Sequence, residues 1–190
     1  MDKPSTKRSS GIRHLIQVRF LSGSVLRRTK HWGKRVLDLG CGWGFYFDIN
    51  PEAYGVDLDD ACIVYLQSRG YKAIKADITQ RLPFAEGSFE CIVCNNVLEH
   101  FELSDTQAIL QEVHRLLAPQ GMFVILIPNR RGYDFGCCTN AGHKHFITPK
   151  EISELSKSRF RLLSHYSHPF PHSVGEYFTH NNEVMWLQKI

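Results

Sequence analysis

The chain has 190 residues, of which 43% are hydrophobic and 22% charged, with a formal net charge of +4. This length suits one domain with a substantial core. No apolar run reaches the roughly 18 residues that a membrane-spanning helix needs. The charge is unevenly spread: residues 1–35 hold ten Lys and Arg against Asp2 alone, a net +9 that leaves −5 for the remainder. The chain therefore divides into a basic arm, 1–33, and a mildly acidic domain, 34–190. The first ten residues, rich in Ser, Lys and Arg, are expected to be disordered. The basic leader reads as a solvated arm or, over His14 to Leu21, as an amphipathic helix that covers the active site or touches an anionic membrane or nucleic acid.

The N-terminus lacks a secretory pattern. The six cysteines (Cys41, Cys62, Cys91, Cys94, Cys137 and Cys138) have no scaffold-like spacing, so they are expected to be reduced thiols in a cytoplasmic protein. Cys91 and Cys94 form a C-x-x-C string within Phe89 to Asn95. That stretch reads as a strand, on which positions three apart face opposite ways, so two buried thiols are expected in place of a redox or metal pair.

From Arg35 onward, short β-type runs alternate with helical or loop segments, the pattern of a parallel sheet covered by helices. Arg35 to Leu39 reads as the first strand, ending at a glycine cluster, and Ala53 to Asp57 as the second. Asp60 to Arg69 is helical and stops at Gly70. Tyr71 to Ala76 and Phe89 to Asn95 are the third and fourth strands. Ser104 is the expected cap of a helix to Leu117, whose apolar stripe is Ile109, Leu110, Val113, Leu116 and Leu117. Pro119 and Gly121 end that helix, and Met122 to Ile127 is the fifth strand. Thr148 to Glu151 spells a capping box with Pro149 at the first helical position. Arg161 to Tyr166 and Glu183 to Lys189 are the last two β-type segments. Asn129 to Ile147 has no periodicity, as expected of a functional or mobile loop.

Val36-Leu-Asp-Leu-Gly-Cys-Gly-Trp-Gly is the string with the most chemical content. Glycines 40, 42 and 44 allow a tight turn and close approach of the backbone to a ligand. Asp38 precedes them at the carboxyl end of the first strand. Asp57, at the end of the second, is placed to accept hydrogen bonds from ribose hydroxyls. Asp77, at the end of the third, suits a purine's exocyclic amine. The G-x-G-x-G spacing has no cationic cluster for a pyrophosphate and no Gly-Lys-Ser/Thr for a triphosphate. A nucleoside without phosphates fits best.

With Gly55-Val-Asp-Leu-Asp, Leu82-Pro-Phe-Ala-Glu-Gly-Ser-Phe-Glu, Val97-Leu-Glu-His and Leu116-Leu-Ala-Pro-Gln-Gly-Met, these residues resemble the class I S-adenosylmethionine-dependent methyltransferases over roughly 35–155, and within them the group acting on small molecules and lipids. The resemblance implies a Rossmann-like, doubly wound α/β fold: a mostly parallel seven-stranded sheet with an antiparallel last strand and helices on both faces. It implies S-adenosylmethionine as cofactor. Gly40, Gly42 and Gly44 would line its methionine and ribose portions with Asp38 nearby, and Asp57 would hold the ribose hydroxyls. Leu58 would pack on the adenine, Asp77 and Ile78 would read its edge, and Asn95 would lie beneath the methionine tail. The link from Gly44 to Asp57 is about a helical turn shorter than the family's, and Pro51 interrupts it, so the first helix must be short or irregular.

The sulfonium already activates the methyl group, so the protein's task is orientation and exclusion of water, with a base needed only if the acceptor loses a proton. Candidate bases are His100, in Val-Leu-Glu-His, and His143 and His145, in the loop after the fifth strand. Cys137, Cys138, His143 and His145 do not match zinc spacings, and no metal is expected. A small-molecule or lipid-like acceptor is the leading expectation. Without a recognisable nucleic-acid module RNA is not favoured. Methylation of a protein or nucleic acid guided by the basic arm, and a cofactor-binding but non-catalytic partner protein, are the alternatives.

Overall fold

The computed structural model of the chain describes residues 22–32, 35–130, 133, 144–175 and 181–190. The expected disordered leader and the amphipathic stretch from His14 lie outside these, as do Cys137, Cys138 and His143. The strands are β1 (Val36–Leu39), β2 (Tyr54–Asp57), β3 (Lys72–Lys75), β4 (Phe89–Asn95), β5 (Leu117–Pro128), β6 (Phe160–His168) and β7 (Asn182–Lys189). They form one sheet in the order β3-β2-β1-β4-β5-β7-β6, parallel from β3 to β5, with β7 antiparallel to both its neighbours. This is the expected architecture. The order reverses between β1 and β4, and sheets of this kind bind ligands in the crevice at that reversal.

Besides a helical segment at 22–28, the described residues include the helices α1 (Asp60–Ser68), α2 (Leu103–Leu116), α3 (Pro149–Ser156) and the four-residue turn α4 (His172–Gly175). Asp59 caps α1, its Oδ1 accepting from the Ala61 and Cys62 N–H groups. At the far end, Gly70 at φ 80° lets its N–H reach the Gln67 carbonyl while Tyr71 N–H reaches that of Leu66. That pair of bonds closes a helix terminus. Thr148 and Glu151 form the expected capping box on α3.

Two expectations are corrected. Ser104 does not cap α2. Glu102 already has extended backbone, its carbonyl accepts from Thr106 N–H at 2.9 Å, and Leu103 is the first helical residue. The helix also stops at Leu116, because Leu117 turns extended and pairs with Phe89, so β5 begins five residues earlier than Met122. The register jumps between Phe89 and Cys91, where the loop of Pro119 and Gly121 bulges out. Here tertiary strand pairing overrides a local turn signal.

Each face of the sheet carries its own apolar cluster. On one, Leu37, Ile92, Cys94, Phe123 and Met185 meet Ile109, Leu110, Val113 and Leu116 of α2 and Ile152 of α3. On the other, Val36, Cys91, Val124 and Trp186 meet Ile63 and Leu66 of α1. Cys91 and Cys94 thus face opposite ways, and the four described cysteines are free and buried. Burial makes all four thiols less acidic, which removes the thiolate needed for metal or redox chemistry.

The second cluster also takes in Val25 and Leu26, from a helical segment at 22–28. Burying each contributes about 1.5–3 kcal/mol. Arg28 lies over the Trp186 ring at 5.1 Å and donates to the Tyr166 hydroxyl at 3.2 Å. Part of the leader's positive charge is therefore engaged within the domain.

Candidate functional site

Three of the sheet's parallel strands end in the residues singled out from sequence. After β1, the glycine turn is fastened to β2: Gly40 and Cys41 N–H both donate to the Val56 carbonyl, at 2.8 and 3.0 Å. Asp57 ties the turn from the next position. Its Oδ2 accepts from Gly42 N–H at 2.7 Å and its Oδ1 from Asp59 N–H at 2.9 Å. The three glycines, all at positive φ, play different parts. A Cβ on Gly40 would fall 2.5 Å from Val97 Cγ2, and one on Gly44 would fall 2.3 Å from Leu66 Cδ2. A Cβ on Gly42 would meet nothing within 4 Å. Gly40 and Gly44 let the turn lie flat on the core, and Gly42 faces open space where a ligand can approach.

The short link to Asp57 is built as expected of a curtailed helix. Only Tyr46–Asp48 is helical, a single 3-10 turn, and Tyr46 and Phe47 plug it into the core. The Tyr46 hydroxyl hydrogen-bonds to Thr29, which joins this turn to the N-terminal segment. Phe47 stacks on Tyr71 at 4.6 Å. The turn is thus anchored by side chains where a longer helix would be anchored by its own backbone.

Asp38 is buried at the end of β1, and burial first, then the nearby Asp57 carboxylate, pushes its carboxyl well above the usual range. Two crowded carboxylates are costly alone and suit a cationic ligand. Asp77 is held through one oxygen, Oδ1, which accepts from Thr79 N–H and Oγ1–H at 2.9 and 2.8 Å. Ile78 is buried beside it, while Leu58 is a large apolar side chain left 55% exposed.

Across the reversal, β4 ends in Asn95, and Asn96 follows it. Both side-chain oxygens are buried without a partner, as are Glu99 Oε2 and Thr106 Oγ1. Asn96 is in the left-handed region at φ 54°. Buried polar atoms in native proteins are nearly always satisfied, so each of these orphans marks a place where a polar ligand or water belongs. Asn96 and Glu99 were not singled out from sequence. An Asn-Asn pair at a strand end is a visible signal, whereas the burial of Glu99 (3% exposed) is not.

Of the candidate bases, His100 lies at the end of the 3-10 turn Leu98–His100. The Glu99 carbonyl accepts from Lys144 N–H at 3.0 Å and His145 N–H at 3.5 Å, which brings the loop after β5 against that turn. His145 is itself engaged, with its Nε2 3.0 Å from Glu151 Oε1. Glu151 also serves the capping box, so His145 braces the loop through α3.

These features fit S-adenosylmethionine: an open glycine, paired carboxylates for a cation and a ribose, an exposed apolar wall for a purine, and orphaned amide oxygens. Residues 37–125 match the family described as a methyltransferase domain. A probable S-adenosylmethionine-dependent methyltransferase of Mycolicibacterium smegmatis is 30% identical over 130 residues, 65% of this chain and 50% of that protein. Residues 37–125 are thus similar to the methyltransferase domain of S-adenosylmethionine-dependent methyltransferases. Other relatives of this methyltransferase domain differ in their acceptors. The tRNA (carboxymethyluridine(34)-5-O)-methyltransferase ALKBH8 of Macaca fascicularis is 33% identical over 98 residues, covering 50% of this chain and 15% of that one. The ubiquinone biosynthesis O-methyltransferase of Pseudomonas syringae is 28% identical over 151 residues, covering 66% and 63%. The chain spans about half the length of its Mycolicibacterium relative.

Solved structures agree on the fold. A SAM-dependent methyltransferase from Archaeoglobus fulgidus superposes with a TM-score of 0.68 at 18% identity, covering 94% of each chain. Geranyl diphosphate C-methyltransferase from Streptomyces coelicolor does so at 0.70 and 10%, covering 99% of this chain and 86% of that one.

Proposed function

We propose that this methyltransferase domain transfers the methyl group of S-adenosylmethionine to a small-molecule or lipid-like acceptor in the cytoplasm. The observation that carries the reading is the convergence of Asp38, Asp57 and Asp77 at adjacent strand ends around the open Gly42. When bound, the cofactor supplies a methyl group already activated by its sulfonium. Asp57, fixed by Gly42 and Asp59, accepts from the ribose hydroxyls. Leu58 and Ile78 flank the adenine while the free oxygen of Asp77 takes its amine. Asn95 receives the methionine ammonium with its orphaned oxygen, and Asp38 adds negative charge. The turn at Leu98–His100 and the loop through His145 wall the acceptor side. They exclude water there and hold the acceptor for in-line attack. His100, His143 or His145 takes the acceptor's proton when the reaction requires it.

Methylation of tRNA is the second reading, favoured by the tRNA methyltransferases among the relatives and by the basic residues before Ser22. Radiolabelled S-adenosylmethionine, offered with a panel of phenols, lipids and bulk tRNA, separates the two. Label is expected in a small acceptor, unchanged by deletion of residues 1–21. Label in tRNA alone, lost on that deletion, would reverse the assignment. No described helix is long and apolar enough to cross a membrane.

A further inference from the structure

Away from the cofactor site, three side chains from three separate elements meet at the surface. His165 of β6 and His172 of α4 both reach Glu183 of β7, their Nε2 atoms lying 2.6 and 2.8 Å from the same oxygen, Oε2. The two imidazole rings are 5.1 Å apart and set edge to face. One ligand atom from each residue lies within 4.8 Å of the other two. We propose that His165, His172 and Glu183 form a binding site for a divalent transition metal, with zinc the best match.

The donor set is the first ground. Two neutral imidazoles and one carboxylate suit zinc and its first-row neighbours, and carry one negative charge toward a dication. Around zinc, bonds of about 2.0–2.2 Å place tetrahedral ligand atoms about 3.3 Å apart. The two His–Glu distances, 2.6 and 2.8 Å, are shorter than that, so Glu183 Oε2 need draw back from each imidazole by less than about 1 Å, within the reach of side-chain rotation.

The second ground is the scaffold beneath. The turn carrying His172 is locked to the start of β7 by a buried network. Asn129 Nδ2 donates to the Gly175 carbonyl at 2.9 Å, and Asn129 N–H to the Asn181 carbonyl at 3.0 Å. Asn181 in turn bonds the Ser167 hydroxyl and accepts from Phe170 N–H at 2.9 Å. A Cβ on Gly175 would lie 2.1 Å from Asn181 Nδ2, so α4 sits as close to β7 as backbone allows. Metal ligands on supports fixed in this way lose little freedom on binding. The site opens to solvent: the His172 side chain is 54% exposed and that of Glu183 16%. Three protein ligands leave at least one position for water or an oxygen ligand. Glu183 pairs with Ile127 near the carboxyl end of β5.

The full chain, free of any tag and stripped with EDTA, is titrated with Co²⁺ and then Zn²⁺. One equivalent of Co²⁺ is expected to bind, with visible d–d absorption that Zn²⁺ displaces, at a Kd of about 1 µM or tighter. His172→Gln and Glu183→Gln should each weaken binding at least about tenfold. His172 is exposed, so its variant should melt with wild type in EDTA. Zinc at about 100 times the wild-type Kd should raise the wild-type Tm by roughly 5–10 °C and the variant's by about half of that or less. Asp57→Ala should keep the metal, which separates this site from the cofactor site. The proposal is overturned if the wild type takes up no metal at about 100 µM. It is equally overturned if both variants bind as the wild type does, since the metal would then lie elsewhere.

Discussion

Replacing Asp57 by Ala should abolish useful cofactor affinity, weakening S-adenosylhomocysteine binding by about two orders of magnitude or more in calorimetry. Two effects combine. The ribose loses a charged acceptor, and hydrogen bonds to charged groups are each worth about 1.5–3 kcal/mol. The Gly42 N–H also loses its partner at 2.7 Å, so the turn that exposes Gly42 is no longer held. A hundredfold loss corresponds to about 2.8 kcal/mol. Asp57→Asn keeps an acceptor for one N–H and should fall between the two. Melting of the ligand-free variants checks that the affinity change is not a folding defect. A variant that folds and binds as tightly as wild type would remove Asp57 from the site.

The second large effect belongs to Glu99. Burial pushes its carboxyl up to about 8, offset only in part by its own backbone N–H, and Oε2 has no partner. Between about pH 4.5 and 8 the folded protein retains a proton that the unfolded chain releases, so stability falls as pH rises through that window. A shift of this size corresponds to a ceiling of about 5 kcal/mol. Glu99→Gln, neutral at every pH and nearly the same shape, should remove the decline. Its Tm should match the wild type near pH 5 and exceed it by several degrees at pH 9. Parallel Tm profiles for the two proteins would show that Glu99 is ionised in the fold and accommodated by its surroundings.

Much of the candidate cofactor site is local in sequence and is legible there. The glycine spacing, the acidic residues at three strand ends and the shortened link before Asp57 all depend on neighbours within a few positions. The same holds for the apolar stripe of α2 and the capping box of α3. What escaped depends on the fold. Ser104 has the chemistry of a cap, but the chain has already entered the helix at Leu103. Leu117 reads as the last residue of a helix that Pro119 and Gly121 end, and only the partner Phe89 makes it strand. The basic leader reads as solvated from its charge, yet Val25 and Leu26 are buried and Arg28 covers Trp186. His165 and Glu183 are 18 positions apart, with His172 between them at no ligand-like spacing, and the three converge only when β6, α4 and β7 come together. Glu99 sits in an apolar string whose pattern does not say which way its carboxyl points.

The differing acceptors among the relatives fit this division. The donor half of the site is carried by β1 to β4, which lie within the matched family region. On the proposed reading the acceptor half is walled by the loop after β5 and by segments beyond it, the kind of region in which function varies on a shared fold.

The central claim is tested most directly by a crystal structure of the chain with S-adenosylhomocysteine. The ribose hydroxyls are expected on Asp57, the adenine between Leu58 and Ile78 with its amine on Asp77, and the methionine tail over Gly42 beside Asn95. A ligand bound elsewhere, or a Gly42 face that stays empty at saturating cofactor, would contradict the account.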